Sequence, residues 1–186
     1  GPGLVALVNQ NTYSGSTIVN GGYLGISGLT AVVPTTNIVI NSGIYVPGAT
    51  VLNGTAADGG TPTTQPNALG SGPITIRSGG ALQLGYHATA TTTDYVTTNS
   101  ITLDGGAIWA NDATQKLTGP ITVTSAGGYL GATYSGSAGG LHKGLFVGGL
   151  VSGSGPLYLE QAGYGGNGAI AEINGWNNGA NGNTYN

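Results

Sequence analysis

Apolar residues along this chain fall in short runs of three to five positions that alternate with polar ones, and paired glycines break the runs. Ile74-Thr75-Ile76-Arg77-Ser78-Gly79-Gly80-Ala81-Leu82-Gln83-Leu84 shows the grammar. Ile101-Thr102-Leu103-Asp104-Gly105-Gly106-Ala107-Ile108 and Ile121-Thr122-Val123-Thr124-Ser125-Ala126-Gly127-Gly128-Tyr129-Leu130 repeat it, as does Thr17-Ile18-Val19-Asn20-Gly21-Gly22-Tyr23-Leu24. Period-two alternation sends successive side chains to opposite faces of a strand, and glycine accepts the positive φ that a tight corner needs. Each unit therefore predicts strand, corner, strand. A unit this short cannot bury its own apolar face, so copies must stack. The expected fold is all-β: a right-handed parallel β-solenoid (β-helix) with essentially no α-helix, residues 1–186 forming one segment. Its core is expected to be a column of Ile18 or Val19, Ile38, Ile40, Ile74, Ile76, Ile101, Leu103, Ile121 and Val123.

The rhythm is broken twice. Residues 53–66, Asn53 to Pro66, are turn chemistry throughout and predict a loop leaving the stack. Residues 86–99, Tyr86 to Asn99, form a second irregular stretch. Two or three compact units occupy residues 1–48, and units resume from 100 to 160 with a spacing of about 20 residues. At that spacing about eight or nine levels are expected, and about 4.8 Å between levels makes a rod about 40 Å long.

Composition agrees with this picture. Only 5% of residues are charged, helix-favouring Glu, Lys, Arg and Met are scarce, and 39% are hydrophobic, which separates the chain from low-complexity linkers. There is no cysteine, so disulfides, a thiol nucleophile and the usual zinc sites are excluded. The chain opens on Gly1 and has no methionine, which predicts that it does not start at a native translation start. Gly1-Pro2-Gly3 reads either as a cleavage scar or as the tail of a preceding unit. No run approaches the roughly 18 apolar residues of a membrane helix.

Leu4, Val5, Leu7, Asn11-Thr12-Tyr13-Ser14-Gly15, Thr17, Val19-Asn20-Gly21-Gly22, Leu24 and Ile26 follow, nearly end to end, the phrase G-x-L-x-L-x-G-x-N-T-Y-S-G-G-T-T-V-N-G-G-T-L-x-V. On these residues the chain resembles the autotransporter-associated β-strand repeat, or passenger-associated transport repeat, of bacterial exported surface proteins. Asn67-Ala68-Leu69-Gly70-Ser71-Gly72-Pro73-Ile74-Thr75-Ile76 and Lys116-Leu117-Thr118-Gly119-Pro120-Ile121-Thr122-Val123 are further phrases of that kind. The resemblance implies a β-solenoid located extracellularly or on the bacterial cell surface. It implies no particular ligand.

The two ends echo each other. Asn183-Thr184-Tyr185 restates Asn11-Thr12-Tyr13, and Gly155-Pro156-Leu157-Tyr158-Leu159 restates the region from Gly1-Pro2-Gly3-Leu4-Val5. Neither end has the polar cap with which solenoids cover their terminal levels. One expectation is a segment of a longer array, or a subunit stacking end to end; the other is a pair of arbitrary boundaries.

Catalysis finds little support. A polysaccharide lyase or glycosidase on such a fold needs paired carboxylates or a basic cluster, and Asp94 with Asp112 or Asp104 is the only grouping the sequence offers. His87 and His142 are candidate bases without a nucleophile elbow, and His142-Lys143 reads as a surface corner. Gly165-Gly166-Asn167-Gly168-Ala169-Ile170 resembles a calcium-binding nonapeptide but has Ile170 where the aspartate belongs. Thr89/Thr91, Thr91/Thr93 and Thr122/Thr124 are Thr-x-Thr pairs, but an ice face requires one pair repeated on successive levels. Three basic residues are too few for a phosphate backbone. No catalytic, cofactor-binding or metal-ligating residue is therefore expected, and no enzyme activity.

Ten tyrosines against the single Phe146 suit contact faces, since each has an apolar ring and a wet hydroxyl. Trp109 and Trp176 are either sugar platforms or fillers of a wide corner. Two functions follow from different classes. The first is a structural stalk or filament segment with homotypic end-to-end contacts; the second is an exported adhesin or glycan-binding module using loops 53–66 and 86–99 with Trp109 and nearby tyrosines.

Overall fold

The computed structural model describes residues 3–7, 11–26, 37–47, 69–84, 95–111, 115–134, 144–163, 170–173 and 184–185. All regular structure among them is β-strand, and none is helix. The strands are β1 (Leu4–Leu7), β2 (Thr17–Ile26), β3 (Ile38–Pro47), β4 (Ile74–Arg77), β5 (Gly80–Leu84), β6 (Tyr95–Thr97), β7 (Ile101–Asp104) and β8 (Ala107–Asn111). They continue with β9 (Gln115–Leu117), β10 (Ile121–Val123), β11 (Gly128–Tyr134), β12 (Gly144–Val147), β13 (Val151–Gly153), β14 (Leu157–Gly163), β15 (Ile170–Ile173) and β16 (Thr184–Tyr185).

Every ladder between these strands is parallel. Twelve strands form one curled sheet and β15-β12-β9-β6 a second of four. The curl follows from β3. Its first half, Ile38 to Ile40, pairs with β4, while Gly43 to Tyr45 pair with β5. Two ladders therefore diverge from one strand. The first runs β2-β3-β4-β7-β10-β13-β16, the second β1-β2-β3-β5-β8-β11-β14, and the four-stranded sheet is a third. From β4 to β15 the chain visits the first, second and third ladders in strict rotation.

Alternation explains the core. Ile38, Ile40, Ile74, Ile76, Leu103 and Ile121 are fully buried, with Ile101 and Val123 nearly so. In register, Ile38 meets Ile74, Ile101, Ile121 and Val151, and Ile40 meets Ile76, Leu103 and Val123. Between Ile18 and Val19 the inward residue is Val19, whereas Ile18 is 57% exposed. The second ladder contributes Leu82, Ile108 and Leu130, and the third Leu117, Leu145 and Val147. Burying each such side chain contributes about 1.5–3 kcal/mol, so the core is a sum of identical small increments along the stack.

The paired glycines have separate tasks, as Gly105-Gly106 illustrates. Gly105 has φ +84°, where an L side chain is strained, and turns the chain from the first ladder into the second. Gly106 points into the core, where a Cβ would stand 2.4 Å from Ile76 Cγ2. The first glycine serves the turn and the second the close approach of strands.

Four sequence expectations need correction or limits. Tyr95–Thr97, inside the stretch 86–99 read as irregular, is strand β6 of the third ladder. Its inward Thr97 and the buried Asn99 are polar, which hid the alternation. Spacing is uneven: Ile121 follows its partner Ile101 by twenty residues, but Val151 follows Ile121 by thirty, because the connections differ in length. The echoed Asn-Thr-Tyr motifs do not take equivalent places. Thr184–Tyr185 form β16 against Ser152 and Gly153, whereas Tyr13 precedes β2 and shares a 2.6 Å hydrogen bond with the Thr17 hydroxyl. Residues 53–66 lie outside the described residues.

Candidate functional site

Among the described residues three surfaces bear chemistry. The first is a polar ladder at the corner between the first and second ladders. Asn41 Nδ2 donates to Asn20 Oδ1 at 2.7 Å, and Arg77 Nη1 donates to Asn41 Oδ1 at 2.7 Å. Arg77 Nε lies 3.9 Å from Asp104 Oδ2, and Thr124 Oγ1 donates to Asp104 Oδ1 at 2.7 Å. Five successive levels are thus linked by side chains at one corner. Arg77 and Asp104 are 53% and 40% exposed, so water screens the pair and its worth is at most about 1 kcal/mol. Asp104 is committed to Arg77 and Thr124, an arrangement of a structural carboxylate rather than of a general acid or base.

The second surface is the outer face of the second ladder. Alternation sends Ala107, Trp109 and Tyr129 outward while Ile108, Ala110 and Leu130 are buried. Trp109 pairs in register with Gly131, and its ring fills the space a side chain at 131 would take: a Cβ there would lie 2.5 Å from Trp109 Cε3 and Cζ3. Tyr129 pairs with Tyr158, and their rings stack with centroids 4.9 Å apart and planes at 21°. Gln83 precedes Trp109 in the same row, and Glu160 follows Gly131. Trp109 therefore lies on an outer face and not in a corner.

The third surface is the pair of terminal strands of the second ladder. Val5, Leu24, Leu82, Ile108, Leu130 and Leu159 share one column. Leu82, Ile108 and Leu130 are fully buried, but Val5 is 60% and Leu159 55% exposed. Among the described residues β1 pairs only with β2 and β14 only with β11.

Most other candidates cannot be placed among the described residues. Asp94, Asp112, His87, His142, Lys143, Trp176 and the glycine-rich run before Ile170 lie outside the described residues, as do Thr89, Thr91 and Thr93. Thr122 stands in register with Thr102 and Thr75, but the position of Thr124 is taken by Asp104 and Arg77 on the preceding levels. The Thr-x-Thr pair is therefore not repeated, and the face lacks the two rows that ice recognition requires. No group of three or more His, Cys, Asp or Glu residues suited to a metal occurs among the described residues. No helix there is long and apolar enough to cross a membrane. Comparison with protein-family models, curated proteins and solved structures returned no match.

Proposed function

We propose that this chain is a segment of a right-handed parallel β-solenoid that serves as a structural rod, a stalk or filament on the bacterial cell surface, extended by end-to-end stacking of like levels. The observation that carries the reading is the column from Val5 to Leu159, buried in its middle and exposed at both ends. Because every ladder is parallel, β14 and β1 present complementary backbone edges, and one can continue the other without reversal. Such a contact is heterologous and open, so it propagates into a filament instead of closing a ring. The strand rotation through three ladders and the resemblance to exported repeat proteins support the same reading. In this proposal the chain catalyses no reaction and holds no cofactor.

Light scattering at micromolar concentration, paired with electron microscopy, tests it. Rods longer than one 18.2 kDa chain, lengthening with concentration, are expected. A monodisperse single chain at all concentrations, with β1 and β14 protected from hydrogen exchange, would contradict stacking.

A further inference from the structure

We infer that the outer face of the second ladder is a saccharide-binding platform built by Trp109, Tyr129 and Tyr158. The inference is independent of whether the ends stack. It starts from Gly131. Only a glycine leaves room for the Trp109 ring over this backbone, since a Cβ would meet two ring carbons at 2.5 Å. The indole is thereby held down against the sheet before any ligand arrives. Tyr129 stands two residues before Gly131 on the same outward side, and it is itself held by the stack with Tyr158 at 4.9 Å. Three rings on adjacent levels thus have little conformational freedom left to lose on binding, which is what a preorganised site requires.

The polar groups narrow the ligand. Gln83 and Glu160 flank the Trp109–Gly131 row, and the tyrosine hydroxyls add donors and acceptors beside an apolar surface. A pyranose has this complement, with C–H bonds on one face and hydroxyls around its edge. The described cations, Arg77 and Lys116, belong to the first and third ladders, and among the described residues the charge on this face is the carboxylate of Glu160. A neutral or amino sugar fits; an acidic one is repelled.

Size decides against a protein partner. A fully buried aromatic side chain covers about 150–250 Å², and Trp109 and Tyr129 are already partly covered, so what remains falls well below the roughly 800 Å² per partner of a stable protein interface. It matches one or two sugar rings.

The test is titration of the intact chain with cellohexaose, chitohexaose, mannohexaose and polygalacturonate, read by calorimetry and by tryptophan emission. At least one neutral or amino-sugar oligomer is expected to bind and to shift the emission, and polygalacturonate is not. Tyr158→Ser, at an exposed position, should weaken binding at least tenfold with an unchanged circular dichroism spectrum, and Trp109→Phe should remove the emission response. Tyr13→Ser serves as the control and should bind like the parent. Absence of binding by every neutral and amino-sugar oligomer at millimolar concentration would overturn the platform. So would binding that Tyr158→Ser leaves intact.

Discussion

Asn99 Nδ2 donates to the Gly72 carbonyl at 2.8 Å from a buried position, and the same amide group donates to Gly70 at 3.1 Å. Asn99 occupies the inward column that Gly119 and Gly149 hold on the next two levels, and it ties one corner of the stack to the corner before it. Replacing it by alanine removes the donor to the buried Gly72 carbonyl and to the half-buried Gly70 carbonyl. Asn99→Ala is expected to destabilise by about 2–4 kcal/mol, since each orphaned buried group costs about 1–3 kcal/mol. Asn99→Asp should be worse at pH 7, because an anion then faces two carbonyls, and it should recover in part as acidification protonates the carboxyl and restores a donor. Denaturant unfolding of the three proteins at pH 7 and pH 4 measures both effects.

The glycine corners allow a sharp contrast. Gly106→Ala forces a Cβ to within 2.4 Å of Ile76 Cγ2 and 2.7 Å of its backbone, and overpacking of this kind costs about 1–3 kcal/mol or more. Gly15→Ala meets nothing within 4 Å and should change stability by less than about 0.5 kcal/mol. Thermal unfolding of the two variants should separate them clearly; equal midpoints would mean that the Ile76–Gly106 approach is not present in solution.

Gln115 offers the opposite sign. It is 2% exposed on the third ladder, and its Nε2 has no hydrogen-bond partner among the described residues. A buried unpaired amide costs about 1–3 kcal/mol, and its register neighbour Leu145 is already apolar. Gln115→Leu is therefore expected to raise the unfolding midpoint. A lower midpoint would show that the amide makes a bond that holds the ladder.

The alternation of Ile74, Ile76, Ile101, Leu103, Ile121 and Val123 made the first ladder legible in the sequence, because a polar outward residue separates each inward pair. Where both faces are apolar the signal fails. Ile18 and Val19 are equivalent by composition, and only their pairing with Val39 and Ile40 separates them. In Ala107-Ile108-Trp109-Ala110 nothing in the sequence says which side is out. Tyr95–Thr97 failed for the reverse reason, with the polar Thr97 facing in and the apolar Val96 facing out. The platform was half legible: tyrosines and Trp109 stood out as contact residues, but the meeting of Trp109 with Gly131 depends on register, and register depends on connections of unequal length. The corner ladder from Asn20 to Thr124 was hidden for the same reason.

Cross-linking between copies tests end-to-end stacking most directly, and the absence of cysteine from the chain makes it clean. If β14 of one copy continues into β1 of the next, Leu159 of the first falls beside Val5 of the second at the spacing of parallel strands, about 4.8 Å, inside the roughly 4.4–6.8 Å between Cα atoms that a disulfide spans. Val5→Cys and Leu159→Cys proteins, mixed and mildly oxidised, are expected to give predominantly the mixed 5–159 dimer. Ile18→Cys, exposed on the side of the first ladder, should give none in excess of random collision. Failure to form the mixed dimer, or 5–5 and 159–159 dimers in equal yield, would contradict the account.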